Sequence, residues 1–304
     1  MSSNITKSTR REDLIWSGLQ FTVTDEEEFA REQEAAGDRV HLHQGVWWRE
    51  LRYGFCQPCF CFREVDHRDA RPSLGRSPAG YMHVAAEGSP ANGVYRAIVR
   101  EGMQQYSLQQ LERRKRNVVR ASIDRVQVRP VTKLEDLTGD GYEVYISWRE
   151  RTGWGSNKSQ RSVYETWISN AFHRTKRTVL GAYVDEKLVG FMLPAAVCNV
   201  AFISYIASHS DALWAYPNDA LYHAFLCVAR QTPGIEMANM GTVSAKASLD
   251  RFKLCYGSVK ELPCYSWINP AVNVLFGRRM SEKYPWLIKA RAGASAQLAP
   301  QPAA

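Results

Sequence analysis

A lysine beside an apolar helical stripe is the first residue of the sequence that could do chemistry. In the segment Ser248–Leu262, SLDRFKLCYGSVKEL, the apolar residues Leu249, Phe252 and Tyr256 recur at helical spacing, and Lys253 lies at the edge of the face they share. A cation held there would act strongly on a developing negative charge, because the local dielectric is low. The alternative is a lysine whose stem covers apolar surface while its ammonium reaches water.

Polar residues near the end of an apolar segment form a second candidate group. The segment VAFISYIAS (200–208) is almost wholly apolar, which predicts a central strand. Ser204 and Tyr205 lie on this strand and could line a pocket. His209 follows it directly and could act as a base near pH 7, since an imidazole titrates in that range. The alternative for His209 is an ordinary exposed loop residue.

Three cysteines in the segment CQPCFC, Cys56, Cys59 and Cys61, suggest a metal site, with His67 nearby. Structural zinc sites use two well-separated pairs of ligands, whereas one short segment carries all three thiols. Alternation along a strand would also point Cys59 and Cys61 to one face and Cys56 to the other. We therefore predict no metal site and expect these cysteines to act as small buried apolar residues.

The composition is typical of a folded chain of up to two domains. The chain has 304 residues, of which 45% are hydrophobic. No run of about eighteen apolar residues occurs, so we expect no membrane span. The first residues, MSSNITKSTRREDLIW, lack the apolar core of a signal peptide, so we expect a cytoplasmic protein. Seven cysteines, an odd number, fit reduced thiols better than a disulfide framework.

Positive charge is concentrated in two segments of a chain whose formal net charge is +8. The segment LERRKRNVVRASIDRVQVR (111–129) holds seven lysine and arginine residues against Glu112 and Asp124. The segment FGRRMSEKYPWLIKAR (276–291) is the second cluster. Such segments are either solvated surfaces or sites that bind the phosphates of a nucleic acid, a nucleotide cofactor or an anionic lipid precursor.

The elements that must position the candidate residues are clearest after residue 125. Two helices are followed by TVLGAYVDEKLVGFMLPAAV (178–197), which predicts two strands joined by a turn at Asp185–Glu186. The strand 200–208, a helix that begins near Pro217, the strand IEMANMG and the helix that carries Lys253 then alternate. Gly257 is expected to end that last helix in the left-handed conformation.

The first part of the chain shows weaker patterns. DEEEFAREQEAA (25–36) predicts a short acidic helix, and residues 45–65 predict paired strands. The stretch 69–93 is rich in Pro, Gly and Ser and predicts a loop. SLQQLERRKRNVVRAS (107–122) predicts a helix whose Ser107 and Gln110 have the spacing of a capping box.

The order of these elements resembles the GNAT acyltransferase fold, most closely the branch of the Fem-type peptidoglycan aminoacyltransferases. Three stretches carry the resemblance: YSLQQLERRKRNVVRAS, LGAYVDEKLVGFMLPA, and LDRFKLCYGSVKELPCYSWINP with its Phe-Lys pair and glycine. The resemblance implies a mixed α/β fold of two GNAT-like lobes, a degenerate one at 1–125 and an acyltransferase lobe at 126–290. The remaining residues, 291–304, have the composition of a disordered tail.

The resemblance leaves two kinds of acyl donor. In GNAT enzymes a glycine-containing loop after the central strand binds the pyrophosphate of coenzyme A through backbone N–H groups. The corresponding segment, SHSDALWAYPNDA (208–220), contains no glycine. The donor is therefore either aminoacyl-tRNA, as in the Fem-type enzymes, or an acyl-CoA held by a divergent loop.

The resemblance also implies roles for single residues. Lys253 stands where most GNAT enzymes have a tyrosine, as in the Fem-type branch, and would stabilise the oxyanion of a tetrahedral intermediate. Phe252 would pack the reacting group, and His209 would act as the base. Contacts with the substrates are expected from Ser204, Tyr205, Trp148, Arg149, Arg151, Trp154 and Tyr256.

We therefore expect a monomeric N-acyltransferase that moves an acyl or aminoacyl group onto an amine of a small or precursor molecule, with tRNA as a candidate partner and no metal. One alternative is an acetyl-CoA-dependent GNAT enzyme with a divergent phosphate loop. The other is a non-catalytic module that binds RNA or another polyanion through its basic helix.

Overall fold

The computed structural model describes residues 18–52, 54–73, 75–153, 160–173, 177–244 and 246–271. The α-helices in these ranges are α1 (Glu26–Ala35), α2 (Arg113–Arg125), α3 (Leu134–Thr138), α4 (Asp140–Thr152), α5 (Arg161–His173), α6 (Pro217–Gln231) and α7 (Ala247–Leu254). The strands are β1 (Val23–Thr24), β2 (Val40–His43), β3 (Val46–Arg52), β4 (Phe55–Pro58), β5 (Glu64–Val65), β6 (Gly80–Ala85), β7 (Gly93–Glu101), β8 (Gln127–Pro130), β9 (Leu180–Val184), β10 (Lys187–Val197), β11 (Val200–Ser208), β12 (Met237–Thr242) and β13 (Ser258–Ile268).

The chain forms two compact units whose segments alternate along the sequence. The described part of unit 1 comprises residues 18–23, 99–153, 160–173, 177–241 and 255–257. The described part of unit 2 comprises residues 24–52, 54–73, 75–98, 242–244, 246–254 and 258–271. The boundary predicted after residue 125 falls inside unit 1, because α2 packs against α6.

Unit 1 is built on a mixed sheet with the strand order β12–β11–β10–β9–β8. The pairs β8–β9, β9–β10 and β10–β11 are antiparallel, and β11–β12 is parallel. The predicted hairpin is confirmed: Asp185 and Glu186 have φ values of 48° and 63°, the left-handed conformation that a two-residue turn requires.

Helices cover both faces of this sheet. A side chain at Gly190 on β10 would point at Leu221 of α6. The next residue, Phe191, packs in a core cluster with Val144 of α4 and Ile168 of α5. Because successive residues of a strand point to opposite faces, α6 lies on one face and α4 and α5 lie on the other.

Unit 2 contains strands in the order β2–β3–β4–β6–β13. The predicted loop over 69–93 is wrong in part, because β6 (Gly80–Ala85) lies within it. All six residues of β6 are buried, and the strand pairs antiparallel with β13. That partner is remote in sequence, so the local density of Pro, Gly and Ser obscured the strand.

Two further local predictions need correction. The Ser107–Gln110 capping box forms, but it caps a single 3-10 turn at Leu108–Gln110, and the basic helix α2 starts later, at Arg113. Gly257 does not adopt the left-handed conformation. A Cβ at this position would lie 2.3 Å from the carbonyl oxygen of Val99, so close backbone approach requires the glycine.

The cysteine-rich segment is not a continuous strand. Cys56 lies in β4, which ends at Pro58, so Cys59 and Cys61 lie beyond the strand and its alternation does not apply to them. Burial raises the pKa of the Cys56 and Cys59 thiols to about 12. The described residues include no cluster of three or more His, Cys, Asp or Glu side chains arranged to hold a metal ion.

None of the helices described here has the length and apolar character needed to cross a bilayer.

Candidate active site

The parallel pair β11–β12 in unit 1 stops pairing before either strand ends. Among the described residues, its register runs from Val200–Met237 to Phe202–Asn239, whereas β11 continues to Ser208 and β12 to Thr242. The cause lies in β12. Gly241 has a φ of 95°, and its N–H donates to Oδ1 of Asn239 at 2.9 Å. This local turn takes the end of β12 out of register with β11.

A β-bulge lies on β11 immediately after this point. Leu193 on β10 is opposite Tyr205, but the next residue, Pro194, is opposite Ile203, so Ser204 is an extra residue. Pro194 has no N–H to donate to the ladder, which favours an irregularity here. A bulge re-aims the side chains that follow it, and bulges are frequent next to active sites. Ser204 is exposed.

Tyr205 is held in an aromatic cluster formed with α4 and α5. Its ring meets Trp148 and Trp167 edge to face, with centroids 5.3 Å and 5.0 Å apart. The buried hydroxyl has no hydrogen-bond partner among the described residues. Burial raises the pKa of Tyr205 well above its usual value, so the hydroxyl remains a neutral donor.

Arg149 and Arg151, both on α4, occupy separate positions. Arg149 donates from Nη1 to the hydroxyl of Tyr145 at 2.8 Å, and Tyr145 packs against Trp148. Arg151 donates to the carbonyl oxygen of Ser208 at 3.1 Å, and burial lowers its pKa. The structure therefore brings Trp148, Arg149 and Tyr205 into one cluster and ties Arg151 to the end of β11. Trp154 lies outside the described residues.

His209 caps the 3-10 helix Ser210–Ala215. Its Nδ1 accepts a hydrogen bond from the backbone N–H of Asp211 at 3.3 Å. The backbone N–H of His209 donates to the carbonyl of Val189 at 2.8 Å. Because Nδ1 is an acceptor, the neutral ring carries its proton on Nε2. In this geometry the ring offers a hydrogen-bond donor, and its use as a base would require the cap to open.

The N-terminus of α6 contains a buried ion pair that no local pattern in the sequence predicted. Asp219, in the first turn, lies 2.7 Å from Nζ of Lys115 on α2 and accepts a hydrogen bond of 2.6 Å from the hydroxyl of Tyr256. Tyr256 is fully buried, and burial together with the Asp219 carboxylate raises its pKa. Tyr256 therefore supports α6 from within unit 1, and its expected contact with substrate stays a prediction.

Lys253 lies on α7 in unit 2 and is buried. The residue is 8% exposed, and Nζ donates to the carbonyl oxygen of Thr242, the last residue of β12, at 3.0 Å. Burial lowers the pKa of Lys253, and Asp250 opposes that shift. The Asp250 carboxylate is engaged by the N–H of Ser244. Phe252 precedes Lys253 and is half-buried.

These features of the site carry only faint signals in the sequence. Asn239 and Gly241, separated by Met240, are residue types that favour turns, but they lie in a segment that reads as a strand. Asp219 follows Pro217 in a helix start, which is an ordinary place for an acidic residue. Its partner Lys115 is 104 residues away, so no local pattern indicates the pair.

Comparisons with known proteins bear on the fold. The sequence matches no family model and no curated protein. Among solved structures, FemX is similar over 88% of this chain and 98% of its own, with a TM-score of 0.57 and 10% identity. The C-terminal domain of a putative lysylphosphatidylglycerol synthetase from Agrobacterium fabrum covers 90% of this chain and 97% of its own, with a TM-score of 0.57 and 12% identity.

A third structure, L-PGS from Bacillus licheniformis, covers 89% of this chain and 96% of its own, with a TM-score of 0.51 and 12% identity. These likenesses extend over nearly the whole of each compared chain, and the mixed sheet described above agrees with them. The resemblance found in the sequence is thereby confirmed at the level of the fold: this chain has the GNAT-like fold of Fem-type acyltransferases.

Proposed function

We propose that the protein is an N-acyltransferase that moves an acyl or aminoacyl group onto an amine acceptor. The observation that carries the proposal is the interrupted pairing of β11 with β12. Beyond Phe202, the edge of β11 is not paired with β12. An extended substrate segment can pair with that edge by strand-type hydrogen bonds, as peptides do at other open strand edges.

The reaction sets two chemical demands. The amine nitrogen forms a bond to the acyl carbonyl carbon, the bond from that carbon to the donor's oxygen or sulfur breaks, and the proton lost by the amine ends on that departing oxygen or sulfur. The carbonyl oxygen carries negative charge in the tetrahedral intermediate, so the enzyme must supply a hydrogen-bond donor or a cation fixed in advance. Ser204 and Tyr205, on β11 beyond the last pair with β12, are the proposed substrate contacts of unit 1.

Lys253 is the proposed source of positive charge. Its ammonium is buried and fixed by the carbonyl of Thr242. A charge fixed in a low-dielectric environment needs no reorganisation as negative charge develops, which makes it more effective than a mobile lysine at the surface. Phe252, next to it, is the proposed packing residue for the acyl group.

A donor assay with matched variants tests the proposal. Purified protein would receive either acetyl-CoA or a charged tRNA together with a pool of amines, and product masses would be read. Asn239→Leu removes the side chain that turns Gly241 out of register, and we expect about 100-fold slower transfer, since small misplacements of reacting groups cost that much. Asn199→Ala, which removes a side chain that donates to the exposed carboxylate of Glu236, is the control.

We expect transfer by the wild type and by Asn199→Ala, and circular dichroism should show that Asn239→Leu stays folded. No product from either donor would contradict the proposed activity. Equal rates in a folded Asn239→Leu variant would contradict the assignment of the site to the opening of β11 and β12.

One observation favours a second candidate function, binding of RNA. Trp214 and Tyr216 are 61% and 38% exposed. The guanidinium of Arg125 lies 5.9 Å and 5.6 Å from the centres of their rings and donates to the carbonyl of Trp214 at 2.9 Å. Exposed rings beside a cation on a basic helix suit stacking on bases and contact with phosphates.

Fluorescence anisotropy of a labelled single-stranded RNA, titrated with the protein, would test this second function. Trp214→Ala should weaken binding about tenfold, since stacking contributes roughly 1–3 kcal/mol per base, and binding should fall steeply with salt. Val163→Ala removes another exposed apolar side chain, 54% exposed, elsewhere in unit 1 and serves as the control. If Trp214→Ala and the wild type bind the RNA with equal affinity, this surface is not the RNA-binding site.

A further inference from the structure

A cavity of about 460 Å³ opens at the edge of the unit 1 sheet that lies away from the opening of β11 and β12. It is bordered by the C-terminal end of α2, by β8, by the turn between β9 and β10, and by α6. Strand β8 is separated from β11 by β9 and β10, so this cavity is distinct from the candidate active site. Its volume lies within the range of roughly 300–1,000 Å³ that small-molecule sites occupy.

An apolar wall of the cavity is formed by the sheet and by two helices. Val128 on β8 is opposite Ala182 on β9, which is opposite Gly190 on β10. Directly opposite residues share a face of a sheet, so Val128 faces α6, as Gly190 does. Val128 lines the cavity together with Ile123 of α2 and Ala220 of α6. The apolar part of a ligand would therefore meet a wall that is already formed.

His223 of α6, a buried polar residue, also lines the cavity. It is 3% exposed. Its Nδ1 lies 2.9 Å from the hydroxyl of Tyr106, and its Nε2 lies 3.6 Å from Sγ of Cys227. Tyr106 and Cys227 are themselves buried, so these contacts fix the imidazole in place. The cavity thus has a rigid polar end as well as an apolar wall.

The exposed rim of the cavity is acidic. Asp124 near the end of α2 and Asp185 in the hairpin turn are exposed lining residues. Neither side chain makes a hydrogen bond or an ion pair with the residues that the structure describes. Glu186, also on the rim, is bound by Arg129 at 2.7 Å. Two carboxylates therefore stay available to a cation that arrives from solution.

Two further features favour a cation at this rim. Helix α2 ends at Arg125, and the C-terminal end of a helix carries partial negative charge that attracts cations. The guanidinium of Arg125, which also borders the cavity, donates to the carbonyl of Trp214 and lies over its ring. Its charge is thereby directed towards that residue. The opening is acidic although the chain has a formal net charge of +8.

We propose that this cavity is a second binding site, which takes a small molecule made of an ammonium group and a short apolar body. The ammonium would lie beside Asp124 and Asp185, and the apolar body would pack on Val128 and Ala220 towards His223. This site goes beyond the proposed acyl transfer and does not depend on it.

Calorimetric titration of phenethylamine, an ammonium on a short apolar body, into the whole chain tests the proposal. Phenylpropionate, of similar size and opposite charge, should bind at least about tenfold more weakly. Asp124→Asn/Asp185→Asn should weaken phenethylamine binding about threefold to tenfold, because exposed ion pairs are individually weak. Asp211→Asn/Glu143→Gln removes the same charge at two exposed residues that do not line the cavity, and it should bind phenethylamine like the wild type.

Ile123→Trp is an independent test, because it enlarges a half-buried lining side chain without changing any charge. It should fill the cavity and weaken phenethylamine binding at least about tenfold, and circular dichroism would show whether it folds. The proposal is overturned if the wild type binds no phenethylamine at millimolar concentrations or binds phenylpropionate equally well. It is also overturned if Asp124→Asn/Asp185→Asn or a folded Ile123→Trp binds phenethylamine like the wild type. A wild type that transfers no acyl group leaves these outcomes unaffected.

Discussion

The rings of Tyr205 and Trp167 meet edge to face in unit 1, with centroids 5.0 Å apart and planes at 72°. Trp148 makes a similar contact with Tyr205 at 5.3 Å. The two indoles, each packed edge to face against the phenol ring, hold that ring in one orientation. Its hydroxyl is therefore fixed by packing and not by a hydrogen bond to the described residues. Strand β11 thereby carries a rigid polar atom just past its bulge.

We expect Tyr205→Phe to leave the free energy of unfolding unchanged or to raise it, because a buried hydroxyl without a partner costs stability. Tyr164→Phe in the same cluster is the matched comparison. Its hydroxyl donates to the carbonyl of Leu137 at 2.8 Å, so its loss should cost about 1 kcal/mol. Urea unfolding of both variants measures the difference, and a larger cost for Tyr205→Phe would reveal a hydrogen bond at that hydroxyl.

Tyr256→Phe should destabilise the protein by about 1–3 kcal/mol. The variant removes the hydroxyl that donates to the Asp219 carboxylate at 2.6 Å and leaves a buried charge with one partner fewer. Tyr216→Phe, at the exposed residue that directly precedes α6, should change stability by less than about 0.5 kcal/mol. Equal unfolding midpoints for the two variants would show that the Asp219–Tyr256 contact contributes little.

Gly257→Ala should destabilise the protein by about 1–3 kcal/mol or more, because the new Cβ would lie 2.3 Å from the carbonyl oxygen of Val99 and 2.4 Å from Cε of Met240. Gly75→Ala is the control, since the nearest atom to its Cβ, Oγ of Ser73, lies 3.9 Å away. Thermal unfolding compares them. A Gly257→Ala variant as stable as Gly75→Ala would mean that the backbone at Val99 can move aside.

The stability of unit 2 should fall on acidification through His83. Burial lowers the pKa of His83 below its usual value of 6.5, partly opposed by the carbonyl of Val84. Below pH 6.5 the unfolded chain binds a proton at this residue that the folded chain does not, so stability is present above pH 6.5 and is lost as the pH falls towards the folded pKa.

His83→Phe keeps a ring to stack on Tyr81 but cannot be protonated. Urea unfolding at pH 7.5 and at pH 5 should therefore show a smaller loss of stability for this variant than for the wild type. An unchanged loss would assign the acid sensitivity to other groups, of which the buried His41 is one, since burial lowers its pKa as well.

Local patterns were sufficient to predict most of the elements. Helical and alternating spacing predicted α4 to α7 and β9 to β12, and Asp185–Glu186 predicted the hairpin, because these features depend on residues close in sequence. Strand β6 was missed because its burial depends on the remote strand β13. The sequence correctly placed Gly257 after the last helix, but it predicted a left-handed conformation there. The glycine is required by close approach to the carbonyl of Val99, which only the fold brings against it.

The candidate site could be predicted only in part. Ser204 and Tyr205 were found from the apolar strand that carries them, and Lys253 from the apolar face of its own helix. The register change at Ser204 and the turn at Gly241 depend on pairing between strands, which a single sequence does not specify. The Asp219–Lys115 pair joins two helices that only the fold brings together.

The most direct test of the account compares the rates of acyl transfer by Lys253→Met and Arg251→Met in single turnovers. Lys253→Met keeps the apolar stem and removes the buried ammonium, whereas Arg251→Met removes an exposed cation two residues earlier on the same helix. We expect Lys253→Met to slow transfer about 100- to 1000-fold, as the loss of one fixed group that stabilises an oxyanion does, with stability within about 1 kcal/mol of the wild type. Arg251→Met should transfer at the wild-type rate. A folded Lys253→Met variant that transfers as fast as Arg251→Met would contradict the account and leave Lys253 a structural role at Thr242.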